Sequence, residues 1–426
     1  MKESGIDWIG QIPEEWEVKG IKHIFEEIGS GTTPQSDNET FYDGDINWIQ
    51  SGDLYQTDEV IKVSKTITYQ GFQSTSALKI YQQPFIALAM YGASVGNVAI
   101  SCIDACVNQA VVVMLGTSEK VRFGKYAIEA SKNNLIFSAQ GGTQPNISQN
   151  LIKNWNIPQP DSSEQTKIAD FLDKKTAQLD KVKALLEEQI QKLKDYRASL
   201  IYEAVTKGLD KTVPVKDSGI DWIGQVPQGW GVKPLKYLAS YDDETLTQSE
   251  INSNQKINYV DIGAVEFTKG INSYQEISMS EAPSRARKIA KKGDTIISTV
   301  RTYLKAIAYV NDDYIVSTGF CVVRPKKVNS KYLNYAIMSD SFTGPVSKYA
   351  WGVSYPAISS SQLVNIPIPF PESIEEQLSI VDYLDHKMLQ INQLIDIKQE
   401  QIDNINKQRQ TLIYDYVTGK RRGKEI

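Results

Sequence analysis

The sequence predicts an α+β protein built twice over: two globular domains of mixed β-sheet and helix, related by an internal pseudo-two-fold repeat and joined by two long helices that pair as an antiparallel coiled coil. Three observations predict it. SGIDWIGQIPEEW at residues 4–16 returns as SGIDWIGQVPQGW at 218–230, with 10 of 13 residues identical. EQTKIADFLDKK from Glu164 returns as EQLSIVDYLDHK from Glu376, and SLIYEAVT at 199–206 returns as TLIYDYVT at 411–418. A period of about 212 to 214 residues is far longer than the roughly 20 to 50 of stacked solenoid units, so it marks a duplicated domain followed each time by a helix.

The expected boundaries are a first domain at 1–160, a first long helix at 161–210, a second domain at 211–371, and a second long helix with a basic tail at 372–426. In the first domain, apolar and β-branched runs bounded by glycine predict strands near 46–54, 84–92, 97–101 and 105–115, then a helix near 122–130. The second domain follows the same order, with strands near 257–265, 293–300 and 314–323 and a helix near 331–339. Trp8, Trp16, Trp222 and Trp230 are expected to anchor the opening strand of each domain in apolar surroundings.

From Ile168 the apolar residues Leu172, Leu179, Val182, Leu186, Leu193 and Leu200 step by threes and fours, with Lys175, Gln189 and Tyr196 at the remaining seam positions. The second helix repeats the frame as Ile380, Leu384, Ile391, Leu394, Ile405 and Leu412, with Lys387, Lys398, Gln401 and Gln408 interspersed. Neither seam is apolar enough to stand alone in water, so each requires the other. Asp161 and Ser162 supply N-cap oxygens ahead of Glu164 and Gln165, and no proline interrupts the first run. NIPQP (156–160) and NIPIPFP (365–371) precede the helices as chain stops.

Of the 426 residues, 41% are hydrophobic and 23% charged, which places the chain among ordinary globular proteins. The N-terminal sequence lacks a basic start followed by an apolar run, and Ala110–Leu115 is too short to span a bilayer, so a cytoplasmic protein is expected. Three cysteines make no disulfide framework. Cys102 and Cys106 offer two thiolates where a structural zinc takes about four ligands, and His23 and His386 are distant in sequence, so no metal is expected. The net charge of -5 hides an asymmetry: residues 1–160 carry 11 basic and 17 acidic side chains, whereas 211–371 carry 18 and 14.

The loops suit contact with nucleic acid, because glycine permits close backbone approach and Asn, Gln, Ser and Thr bond base edges. Candidates in the first domain are Gly31, Thr32 and Thr33, then Ser94 and Asn97, then Thr143, Gln144 and Asn146. In the second they are Ser298, Thr299, Arg301 and Thr302, with Ser354 and Tyr355. Arg285, Arg287, Lys288, Lys291 and Lys292 form a basic stretch expected to clamp phosphates, while Arg301 is the better placed for a base. No phosphate loop, nucleotide fingerprint or repeated reactive constellation is present, so no catalytic residue is assigned.

The A-helix-A-helix layout, the DWIGxxPxxW openings and the EQxxIxxxLD helix starts together resemble the specificity subunit of type I restriction-modification systems, over nearly the whole chain. The resemblance implies two target-recognition domains that read the two halves of a gapped double-stranded DNA site, held apart by the paired helices. It implies methyltransferase (modification) subunits docked on the helical frame, and restriction subunits in the full complex. It places no cofactor in this chain: S-adenosylmethionine belongs to the modification subunit, and ATP and magnesium to the restriction subunit. Matching residues are Gly31, Thr33 and Pro34, the Ser94–Gly96 turn, and Thr143–Ser148; the second domain has no clear GxTP counterpart after Ser240. The rival readings are a coiled-coil adaptor without DNA preference and a self-sufficient DNA-modifying enzyme.

Overall fold

A computed structural model describes residues 1–139 and 146–421. They form two compact units, one of residues 1–186 with 400–426 and one of residues 187–399. Each unit therefore holds one globular domain and parts of both long helices.

In the first unit a five-stranded sheet is built in the spatial order 27–30, 111–115, 85–89, 98–101, 59–60, antiparallel except for the last pair. Phe85–Ala89 is buried along its whole length, as a central strand covered on both faces must be. Helix Ser118–Ala130 covers one face with Val121, Phe123, Tyr126 and Ile128. A smaller sheet pairs 106–107 parallel to 42–49. Glu17–Gly20 pairs with Asn156–Gln159, so the NIPQP stretch is a strand as well as a stop before the helix.

The second unit repeats this order. Strands 239–241, 320–325, 295–298 and 307–309 lie side by side in that sequence. Lys256–Val260 again takes a parallel neighbour, Tyr314–Ser317, and Trp230–Pro234 pairs with Pro367–Pro371. The runs expected as single strands at 105–115 and 314–323 each divide, at Asn108–Ala110 and Thr318–Gly319, so that one run serves two sheets.

The repeated motifs act as clamps between each globular domain and its helix. Trp16 donates its indole N–H to Glu164 at 2.7 Å, and Trp230 donates to Glu376 at 3.0 Å. The Gln165 and Gln377 amides each donate at 2.8 Å to a proline carbonyl, that of Pro160 just after the strand Asn156–Gln159 and that of Pro371 at the end of Pro367–Pro371. Asp173 accepts from Arg122 and Tyr126; Asp385 accepts from Lys331 and Tyr335. Of the four tryptophans expected as anchors, Trp8, Trp16 and Trp230 are buried, but Trp222 is 37% exposed. Trp8 stacks on Trp155 at 6.5 Å, whereas the residue before the second NIP stretch is Val364, which gives Trp222 no ring to stack on.

Ser162–Lys207 and Ile374–Val417 are continuous α-helices. In the first unit Phe171 meets Tyr416 at 4.4 Å between centroids and Asp180 lies 3.6 Å from Arg409. In the second unit Arg197 donates to Asn392 at 2.9 Å and Lys398 to Gln189 at 2.5 Å. In both, rising numbers on one helix meet falling numbers on the other, which is antiparallel pairing. The leucine row Leu172, Leu179, Leu186, Leu193 and Leu200 faces inward as expected, but the alternate seam positions lie one residue further along. Thr176, Lys183, Ile190 and Arg197 turn inward, while Val182 and Tyr196 are 46% and 52% exposed. The second helix shifts identically, to Met388, Ile395, Ile402 and Arg409. On the second helix the more apolar row decides the rotation, with Met388, Ile395 and Ile402 inward in place of Lys387, Leu394 and Gln401, whereas on the first the inward row carries Lys183 and Arg197 beside Thr176 and Ile190. Among the described residues, no helix is long and apolar enough to cross a membrane.

Candidate nucleic-acid interface

In the second unit, two loops at the end of the 295–298 strand are laced together. Ile358 donates its N–H to the Thr299 carbonyl at 2.8 Å, and Trp351 and Ala357 exchange backbone bonds at 2.8 and 2.9 Å. This brings Arg301 and Tyr355 together, with the guanidinium carbon 5.0 Å from the ring centroid, within cation–π range. Arg301 is exposed, as are Ser354 and Tyr355. Ser298, Thr299 and Thr302, grouped with them from sequence, are instead buried. The Ser298 hydroxyl donates to the Val300 carbonyl and that of Thr299 to the Gly319 carbonyl. Every residue from 294 to 299 is buried, and the Ser298 and Thr299 hydroxyls satisfy backbone carbonyls and are closed to a base.

The basic stretch at 285–292 also needs correction as a five-residue clamp. Ala286–Ala290 is an edge strand. Lys288 reaches inward to Asp242 at 2.7 Å and to the Phe320 carbonyl at 2.6 Å. Lys291 pairs with Glu244 at 2.7 Å, which Arg324 also holds before reaching Asp294. The hydrogen bonds from Lys291 and Arg324 keep the Glu244 carboxyl below its usual range. Acids about 45 residues away in sequence thus absorb two of the five cations, leaving Arg285, Arg287 and Lys292.

In the first unit Gly31 is a packing position: a Cβ there would lie 1.8 Å from the Val107 carbonyl oxygen. Thr32 accepts the Trp48 indole N–H through its carbonyl at 3.3 Å, and Thr33 donates to Gln109 at 2.6 Å. Ser94 is 7% exposed, which removes it from the surface, and Asn97 accepts from Lys132 at 2.6 Å. These groups fix loop shape before they can contact anything else. Asn146 is exposed; Thr143 and Gln144 lie outside the described residues. Burial pushes the Cys106 and Cys321 thiols up to about 12, which disfavours their nucleophilic thiolate form at neutral pH.

Sequence reasoning missed Lys305, Tyr303 and Trp351. Tyr303 and Trp351 are 59% and 78% exposed beside Arg301's loops. Lys305 is picked out by structure, where backbone bonds set TVRTYLK against the equally long MYGASVG of the first domain.

The type I restriction modification DNA specificity domain model matches the chain twice, at residues 13–194 and 227–407. The MjaVIII specificity subunit of Methanocaldococcus jannaschii is 24% identical over 314 residues, covering 71% of this chain and 70% of its own. The EcoDI specificity subunit of Escherichia coli is 23% identical over 300 residues, covering 67% and 66%. A chain from a solved type I restriction-modification system, described for its complex assembly and conformational transition, superposes with TM-score 0.69 at 18% identity, covering 96% of this chain and 98% of its own.

Proposed function

We propose, starting from a chain that belongs to the type I restriction-modification DNA specificity family, that its two domains each read one half of a gapped double-stranded DNA target. Methyltransferase subunits dock on the helical frame, and restriction subunits join in the full complex. S-adenosylmethionine, ATP and magnesium act on those partners, while this chain selects the site.

One observation carries the reading. The clamps that join domain to helix recur residue for residue, Trp16 with Glu164 and Trp230 with Glu376, while the exposed loops diverge in chemistry. Selection for a common frame with different faces is what a reader of two unlike half-sites requires. Sequencing the modified positions in DNA from cells carrying this chain and its methyltransferase partner is expected to return a gapped motif; an ungapped motif, or no sequence preference, would refute the proposal.

Arg285, Arg287 and Lys292 act on phosphates in this reading. Changing all three to Gln is expected to weaken binding to every sequence alike and to flatten the dependence of log K on log salt, by up to about one unit for each phosphate no longer neutralised. A salt titration of the assembled methyltransferase measures it. Lys288→Gln should instead lower thermal stability with little change in slope, because it leaves Asp242 without its ion pair.

A further inference from the structure

We infer that Arg301 determines specificity by reading a guanine on its major-groove edge, held ready by Tyr355 in a backbone conformation that the fold itself assigns to glycine. The inference rests on the DNA-reading function proposed above.

The two domains build the same turn at this place. In the first, Ala89 donates to the Asn97 carbonyl at 2.9 Å and Ile147 to the Met90 carbonyl at 2.8 Å. In the second, Ser298 donates to Ala306 at 2.9 Å and Ile358 to Thr299 at 2.8 Å. Counting from these shared bonds, Arg301 stands where the first domain has Gly92, and Lys305 where it has Gly96. All four are left-handed: φ is +84° and +75° at the glycines, and +51° and +46° at Arg301 and Lys305. Glycine adopts that region freely, whereas a side chain there is strained.

Lys305 has a structural return for its strain, since its ammonium meets Asp340 at 2.9 Å and lies 5.4 Å from the Phe267 ring centroid. Arg301 has none of that kind. Among the described residues its guanidinium makes no hydrogen bond or ion pair and rests on the ring of Tyr355, itself 66% exposed. Strain retained without a fold-based return marks a site shaped for something outside the chain. The Tyr355 ring under the guanidinium gives it a resting place and leaves its N–H donors without partners among the described residues. That suits bidentate donation to guanine O6 and N7. A phosphate needs no such orientation, and an unstrained flexible cation serves it as well. Exposed Trp351 and Tyr303 give the surroundings flat apolar faces in keeping with a base edge.

The test compares Arg301→Gly and Tyr355→Ala with the parent chain, each assembled with its methyltransferase partner, on the parent target and on duplexes changed at one base pair at a time. Arg301→Gly is expected to leave the thermal midpoint unchanged or raise it by up to about 3 °C. It should reduce discrimination at one G·C pair of one half-site by roughly 5- to 150-fold, leaving other positions alone. Tyr355→Ala should relax the same position by a smaller factor. Unchanged discrimination, an equal loss on every duplex, or a loss of methyltransferase assembly would each overturn the assignment. If the parent complex shows no gapped target, the broader reading fails instead, so the two failures are separable.

Discussion

Replacing Arg409 with methionine is expected to lower the stability of the first unit by about 3 kcal/mol, at the low end for breaking a buried ion pair, whereas Arg197→Met should be neutral or stabilising. The two arginines are repeat equivalents on the helix seams, but their settings differ. Arg409 is 15% exposed and serves Asp58 at 2.7 Å, Glu129 and Asp180, beside Lys125, which is 2% exposed. Its loss leaves three carboxylates with only Lys125 and Lys183 to balance them. Where the first helix offers Asp180, the second offers neutral Asn392, so Arg197 is buried against an amide. Burial pulls its pKa down, with Glu266 opposing only in part. Exchanging such a cation for an apolar side chain removes a desolvation cost that the Asn392 amide and Glu266 offset only in part. Thermal unfolding should show a fall of about 6 to 12 °C for Arg409→Met in the transition of that unit, and no fall for Arg197→Met. Equal losses would refute the asymmetry.

The same cluster sets a pH dependence. Burial raises the Asp58 pKa, but Lys125 and Arg409 outweigh it, and the folded value lies below the ordinary 3.8. A depressed carboxyl contributes stability above its unfolded pKa and loses it as pH falls through the folded value. The gap between parent and Arg409→Met should therefore narrow below about pH 4, and a gap that widened there would contradict the sign.

Exchanging residues 17–155 for the matching segment of a relative is expected to change one half of a gapped target completely and leave the other half as it was. The exchanged segment carries the candidate loops of the first domain, while the strand partner Asn156–Gln159 and the Glu164–Gln165 clamp residues stay in place. Sequencing of modified sites reads the outcome directly. Concerted change in both halves would show that the domains do not read independently.

The architecture was legible because duplication printed it twice: repeated Trp, Glu, Gln and Asp positions proved to be the atoms that join domain to helix. Finer features escaped for identifiable reasons. The seam rotation depended on weighing Ile190, Ile402 and Met388 against Lys175, Gln189 and Lys387, a comparison that spacing alone does not make. Ser298, Thr299, Thr302 and Ser94 have the composition of a binding loop, but buried hydroxyls, two of which serve backbone carbonyls, look in sequence like hydroxyls that serve a ligand. Lys288 and Lys291 looked free because Asp242 and Glu244 reach them only through folding. Arg301 became informative only when its φ was set beside that of Gly92.

The first unit draws residues 400–426 from the far end of the chain, and that sets an order of events during synthesis. The second unit is continuous and can close as soon as residue 399 has emerged. The first waits, after its own domain is made, for more than two hundred further residues, on the order of 10 to 40 s at roughly 5 to 20 residues per second. Through that interval the surface later covered by Ile413, Tyr416 and Val417 stays open to water and to chaperones. A chain that stops between residues 399 and 413 thus carries every residue of the second unit but lacks the apolar side chains that complete the first.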